Sequence, residues 1–308
     1  MTTTVDQRAA LVALLRSRPK RLTWNAIAAK VIFAGDAVSV WEELAYDGGM
    51  VADPRAASAL ADARREVQQW DQDGLTMLTV LDDEYPARLL DIRETPPVLF
   101  LRGNLVAEDR GMSVVGSRRA SHRGHQIATL AAELLVAKGL TVIAGLAAGI
   151  DTTAHQTALA EGGRTVAMLG TGITHYYPTQ NRNLQEEIAS RGLVLSQFWP
   201  AAHPTRQSFP IRNAAMSGYG MGTVVIEAGE TSGTRIQARV AIEHGRPVIL
   251  TDMVVEQTRW GRALVGRPGV HVVSGADDLD RTVDEVLNEQ GAVSRVLQSL
   301  EGVTPSLA

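Results

Sequence analysis

The chain has 308 residues, enough for a full α/β core and a smaller second domain. It contains no cysteine, which excludes disulfides, thiolate metal sites and cysteine nucleophiles and suits a cytoplasmic protein. A net charge of −4 argues against a surface coated in positive charge, yet 12 Lys/Arg stand against 8 Asp/Glu between Gly111 and Leu250 and 18 against 26 in the remainder, so a mildly basic middle sits in an acidic chain.

The N-terminal stretch MTTTVDQRAALVALLRSRPKR lacks the apolar core and small-residue cleavage site of a signal peptide. No apolar run nears the roughly 20 residues that cross a bilayer. The expectation is a soluble, intracellular protein with no membrane partner. Residues 1–72 predict a helical domain: Leu11, Leu14 and Leu15 mark one face, Ile27, Val31 and Ile32 another, with further helices over 37–44 and 55–70. Trp24 and Trp41 are expected in its core, and Trp70 in that core or against the next domain.

From residue 75 the pattern changes. β-rich runs at Leu75–Leu81 and Val98–Leu101 flank a short helix after Tyr85-Pro86, and Pro96-Pro97 forces an extended approach to the second run. They read as an extension leading into the main sheet. Met112–Val115 and Leu140–Ile143 are apolar runs that each stop near a glycine, with Ile127, Leu130, Ala131, Leu134 and Leu135 spaced as one helix face between them. Strand, turn, helix, strand is a βαβ unit, which implies parallel strands. The alternation continues with strands at 164–169, 193–195, 223–226, 247–250 and 270–273. Helices are expected over 181–191, 209–216, from Ser232 to His244, and over 277–287. This predicts an extended Rossmann-like, doubly wound and mainly parallel sheet of about seven strands over 73–288, with a tail over 289–308.

In such a sheet ligands sit beyond the carboxyl ends of the strands. Those ends carry Gly116-Ser117-Arg118-Arg119, Gly145 with Gly149, Gly170 with Gly172, and Ser232-Gly233-Thr234 at a helix start. Bare amides, hydroxyls and guanidiniums suit phosphate oxygens. Arg118, Arg119, His122 and Arg123 cluster where a helix dipole disfavours cations, so an anion there would offset that cost. Arg212 in Phe209-Pro-Ile-Arg-Asn213 is a lesser candidate. Asp151 and His155 share a helix face, and the structural expectation is that Asp151 serves the helix N-terminus and holds His155. Glu227 at a strand end is their one candidate catalytic companion. There is no GxxxxGK[ST], HExxH or GxSxG. The expectation is therefore a binding protein with no catalytic residue, no metal and no cofactor.

At these residues the sequence resembles the DNA-processing protein A (DprA/Smf) family. The matching stretches are Val114-Val-Gly-Ser-Arg118, Gly145-Leu146 with Gly149-Ile-Asp151 and Ala154-His155, and Leu169-Gly170 with Tyr177-Pro178 and Asn181. Further on come Phe209-Pro210, Arg212-Asn213, Val225 with Glu227-Ala228, and Ser232-Gly233. Tyr85-Pro86, Pro97-Val98-Leu99 and Arg102-Gly103 fit the family's lead-in. The resemblance implies a single-stranded-DNA-binding protein, usually dimeric, that acts in natural transformation and loads the RecA recombinase. It also implies that Arg118 and the Arg212-Asn213 segment belong to the basic pocket. Two family cations are missing, replaced by Ala148 and Ala214, and Ser196-Gln197 stands where Ser-Glu is usual; each lost phosphate contact weakens binding and flattens its salt dependence.

A second reading is a pocket for a small nucleotide, as sensor or enzyme. Related folds that split the base–ribose bond carry a glutamate where this chain has Gln237 after Gly233-Thr234, and an amide cannot replace a carboxylate in that chemistry. In the single-strand reading, Tyr176, Tyr177 and Phe209 are the aromatic side chains placed to stack a base.

Overall fold

The computed structural model describes residues 3–45 and 54–301; the end of the expected tail, 302–308, lies outside them. Four helices come first: α1 (Val5–Ser17), α2 (Trp24–Ala34), α3 (Ala37–Ala45) and α4 (Pro54–Gln72). Thr4 caps α1 by accepting the Gln7 amide, and Thr23 caps α2 by accepting that of Ala26. All residues of α1 from Ala9 to Leu15 are buried, so α1 is the axis of the bundle rather than an amphipathic surface helix. Trp41 is buried within it. Trp70 packs outside that bundle, 5.1 Å from Phe100 and 5.7 Å from Trp199 between ring centroids.

The remaining chain builds a nine-stranded sheet in the order β1-β2-β6-β5-β4-β3-β7-β8-β9. The strands are β1 (Thr76–Thr79), β2 (Val98–Gly103), β3 (Gly111–Gly116), β4 (Thr141–Ala144), β5 (Thr165–Met168), β6 (Leu193–Ser196), β7 (Gly222–Glu227), β8 (Val248–Thr251) and β9 (Val270–Val273). The seven from β3 onward are parallel, as the alternation of elements implies. The lead-in runs do more than introduce the sheet: β2 pairs antiparallel with β6, and β1 with β2, adding two strands to one edge. The intervening short helix is α5 (Ala87–Leu90).

The crossover helices are α6 (His122–Ala137), α7 (Ile150–Ala160), α8 (Arg182–Arg191), α9 (Ser208–Tyr219), α10 (Gly233–Glu243), α11 (Asp252–Gln257), α12 (Arg259–Leu264) and α13 (Ala276–Glu301). Alternating strand residues serve two cores. Met112, Val114, Val142, Val224 and Ile249 pack with α6, α7 and α13, while Val115, Ile143, Val225, Val248 and Leu250 pack on the opposite face with α9, α10 and the N-terminal helices. α9 runs longer than the expected 209–216, and α13 continues past Leu287 through the expected tail boundary. Among the described residues no helix is long and apolar enough to cross a membrane.

From β3 the chain winds outward through β4, β5 and β6; from β7 it winds the other way through β8 and β9. The topological switch point therefore lies between β3 and β7, where the helices leave on opposite faces and a crevice opens. Their pairing shifts register between Val115↔Val225 and Gly116↔Glu227, an irregularity at the mouth of that crevice.

Candidate functional site

A cleft of about 330 Å³ opens at the switch point. β3 contributes Gly116 and the following Ser117, Arg118 and Arg119; α9 contributes Phe209, Arg212 and Asn213; the β7–α10 junction contributes Ser232, Gly233 and Thr234. These ten candidate residues, scattered over more than a hundred positions, come together. Gly145, Gly149, Gly170 and Gly172 do not line it.

Each of those four glycines answers a packing demand. A Cβ on Gly145 would overlap the Arg212 guanidinium, and one on Gly149, at φ +81°, would meet the Ser117 and Arg118 carbonyls. A Cβ on Gly170 would lie 2.7 Å from the Phe209 ring, and one on Gly172 would strike the Trp199 and Pro200 carbonyls. In the structure these four let the site's supports approach one another. Gly233 differs, being exposed with nothing within 4 Å of the Cβ position.

The loop after β4 is already occupied by its own anion. The Asp151 carboxylate accepts the Gly145 amide at 3.0 Å and the Ala147 amide at 3.3 Å. The grip holds Leu146 at φ 58°, in the left-handed region, while Asn181 donates to the Leu146 carbonyl at 2.9 Å. Burial raises the Asp151 pKa above the usual carboxylate range, with the Arg212 and Arg118 charges and the two amides pulling it back. Asp151 does not hold His155. That imidazole is fully buried one turn later, its Nδ1 2.7 Å from Thr165 Oγ1, and burial, with the charge of Arg212, pushes its pKa down to about 3. Glu227 joins neither: it accepts the Ser121 amide at 2.9 Å and the Ser121 hydroxyl at 2.8 Å, tying β7 to the start of α6.

Arg212, almost fully buried, is a clasp that also lines the cleft. Its Nη1 donates to the carbonyls of Gly145 and Met168 at 2.6 Å each, joining the carboxyl ends of β4 and β5, and its Nε donates to Asn213 Oδ1 at 2.9 Å. Asn213 passes the bond on to the Gly233 carbonyl at 3.4 Å. Ser232 caps α10 by accepting the Thr234 amide and donates its hydroxyl to Thr234 Oγ1, which in turn donates to the Gly116 carbonyl. Ser117 Oγ accepts the Arg119 amide at 3.1 Å.

What stays open is cationic. Arg118 and Arg119 are exposed and form no ion pair among the described residues, whereas Arg123 is bound to Asp252 at 3.0 Å. The amide of Gly233 opens α10 with no hydrogen-bond partner among the described residues, at the positive end of the helix dipole. The Arg118 guanidinium lies 5.0 Å over the Phe209 ring, and Tyr177, 39% exposed, continues the row 5.6 Å beyond. Tyr176 turns away to donate to Glu186 at 2.5 Å. Ala214, where a family cation is missing, is buried, and Ala148 is half-buried.

Two features went beyond the sequence reading. Gln237, already placed after Gly233-Thr234, lies at the cleft floor, 1% exposed; its position could be read, but its depth could not. The self-filled Asp151 loop was visible only as a helix-start aspartate. Among the described residues no group of three or more His, Asp or Glu is arranged to hold a metal.

A family model for DNA recombination-mediator protein A matches residues 76–283, which hold all nine strands of the sheet. The chain is 38% identical to Protein Smf of Synechocystis over 238 residues, which is 75% of this chain and 60% of that protein. It is 32% identical to the DNA processing protein DprA of Bacillus subtilis over 224 residues, covering 72% and 75% of the two chains. The crystal structure of DNA processing protein A from Streptococcus pneumoniae superposes with a TM-score of 0.72 at 30% identity, over 91% of this chain and 98% of that one. DNA processing protein A from Helicobacter pylori shares the fold, with a TM-score of 0.61 at 22% identity over 68% and 96% of the two chains. The chain spans about three fifths of the Synechocystis and Streptococcus pneumoniae curated relatives it matches. With its switch-point cleft, its Gly-Ser-Arg turn and its buried Arg-Asn pair in one place, the chain belongs to the DNA recombination-mediator protein A family, the DprA/Smf proteins.

Proposed function

We propose that the protein binds single-stranded DNA at the switch-point cleft without catalysing a reaction. It acts as a homodimer in the cytoplasm, in the uptake of transforming DNA and the loading of the RecA recombinase. Family membership supports the recombination setting, and the solved Helicobacter pylori relative binds single-stranded DNA. The observation that carries the binding is the exposed Arg118 guanidinium, without an ion pair among the described residues and lying 5.0 Å over Phe209 beside the open amide of Gly233. Phosphodiester oxygens meet Arg118, Arg119 and that amide, while Phe209 and Tyr177 offer ring faces to which any base can stack.

The test is a fluorescence titration with a labelled oligonucleotide at several salt concentrations, wild type beside Arg118→Ala. Binding weakens with salt, and the variant loses roughly tenfold in affinity and about 0.7 in salt slope for one lost phosphate contact. Absence of binding by the wild type at low salt refutes the reading.

The size of the cleft also supports a mononucleotide ligand, since about 330 Å³ matches a single nucleotide unit. Gln237, an amide at its floor, speaks for sensing over hydrolysis. A saturable thermal shift with mononucleotides and none with oligonucleotides selects this alternative.

A further inference from the structure

We infer that the turn joining α1 to α2 is a second phosphodiester-binding surface, which extends the path of a single strand from the cleft onto the helical N-terminal bundle. The inference rests on the cleft reading above.

The turn reads Arg16-Ser-Arg-Pro-Lys-Arg21, four cations in six residues. Its backbone is unusual. Arg18 ends α1 at φ 48°, Lys20 follows at φ 53° and Arg21 at φ 59°, all left-handed. The cap position of a helix with this geometry normally holds Gly or Asn, and each side chain kept there carries a strain that those residues avoid. Here all three left-handed positions hold a long cation, and all three are exposed. Arg18 donates only its Nε, to the Leu22 carbonyl at 3.1 Å. Neither Arg18 nor Arg21 forms an ion pair among the described residues; Arg16 does, with Glu66 at 3.0 Å.

Both ends of the turn are fastened to one side chain. The Arg16 guanidinium lies 4.2 Å over the ring of Trp199, and Trp24 meets the same ring edge-on at 5.1 Å. Trp199 follows β6 by three residues, and its carbonyl packs on Gly172, beyond β5. The turn thus stands at the carboxyl end of the sheet, the end on which the cleft opens. The loops beyond β5 and β6 at that same end carry exposed Tyr177 beside half-buried Phe209, half-buried His175 with its ring tilted at 35° to that of exposed His203 and 4.4 Å away, and exposed Arg206. Three strand spacings separate β3 from β6, about 14 Å, and one helix layer adds about 10 Å. At a stacked rise of about 3.4 Å, the resulting span of about 25 Å takes roughly seven nucleotides. Cations interleaved with ring faces along such a path fit a single-stranded polyanion better than an acidic protein surface, which needs no rings.

The test compares oligothymidines of about six and about 20 nucleotides, the short one confined to the cleft and the long one able to reach the turn. The variant is Arg18→Asn/Arg21→Asn, because asparagine accepts the left-handed backbone and keeps the bundle folded. A melting temperature at or above that of wild type checks that it does. The variant binds the short oligonucleotide as wild type does, binds the long one roughly tenfold more weakly, and loses about 1.4 in salt slope on the long one alone. Arg118→Ala weakens both. Equal affinity of wild type for the two lengths, or an unchanged long-strand affinity in the turn variant, overturns the second surface and leaves the cleft reading intact. Failure of both lengths to bind removes both.

Discussion

Replacing Arg212 by alanine separates a clasp from a phosphate ligand. The guanidinium holds two strand-end carbonyls at 2.6 Å and Asn213 at 2.9 Å, and it is 6% exposed. Its removal strands the Gly145 and Met168 carbonyls and leaves the Asp151 carboxylate without the charge that offsets its burial. A charged hydrogen bond contributes about 1.5–3 kcal/mol, and breaking a buried charge arrangement on one side costs about 3–5 kcal/mol. The second figure already includes much of the first, so the expected loss is about 4 kcal/mol of a typical total of about 5–15 kcal/mol. Urea unfolding followed by tryptophan fluorescence measures it. The loss also depends on pH in a definite sense. Asp151 carries a raised native pKa, so its ionisation penalty is complete above that value and gone below the ordinary value of 3.8. Without Arg212 the penalty grows, and the deficit of the variant narrows as the pH falls from 7 toward 4. A variant that loses less than about 1 kcal/mol yet no longer binds DNA refutes the clasp and restores Arg212 as a direct ligand.

His155 titrates in the opposite sense: with its native pKa pushed down to about 3, the unfolded chain takes up the proton first as the pH falls below 6.5, and stability is lost from there toward 3. Unfolding free energies of wild type and His155→Gln from urea titrations against pH should diverge by up to about 1.4 kcal/mol per pH unit in that window, and parallel curves would contradict the assigned burial. Gly149→Ala places a Cβ against the Ser117 and Arg118 carbonyls at a φ of +81°. It should cost about 2–3 kcal/mol by thermal melting and weaken oligonucleotide binding by shifting Arg118, whereas an unchanged melting temperature would show that the turn can relax.

The sheet was legible because the parallel strands are short apolar runs cut off by glycine, and helix-period segments separate them. The pairing of Val98–Gly103 with β6 was not, since residues some 95 positions apart meet only after the sheet has formed. The line of cations at Arg118 and Arg119 was visible as charge, and nothing local marked Arg212 as different from them. Its depth follows from α9 crossing beneath the strand ends, a tertiary fact. The glycines show the same limit. A glycine at a strand end looks alike whether it admits a ligand or a neighbouring guanidinium: Gly116, Gly229 and Gly233 line the cleft, whereas Gly145, Gly149, Gly170 and Gly172 do not. Asp151 and His155 share a helix face as their spacing requires. Their partners, two loop amides and Thr165, come from outside the helix.

The most direct measurement is ultraviolet crosslinking of a bromodeoxyuridine-substituted single strand to the wild-type protein, with the attached peptide identified by mass spectrometry. The account predicts attachment at Phe209 or Tyr177, beside Arg118, and competition by unlabelled single strand. Attachment confined to the opposite end of the sheet, where Arg88, Arg110 and Arg246 line a separate hollow, would contradict it.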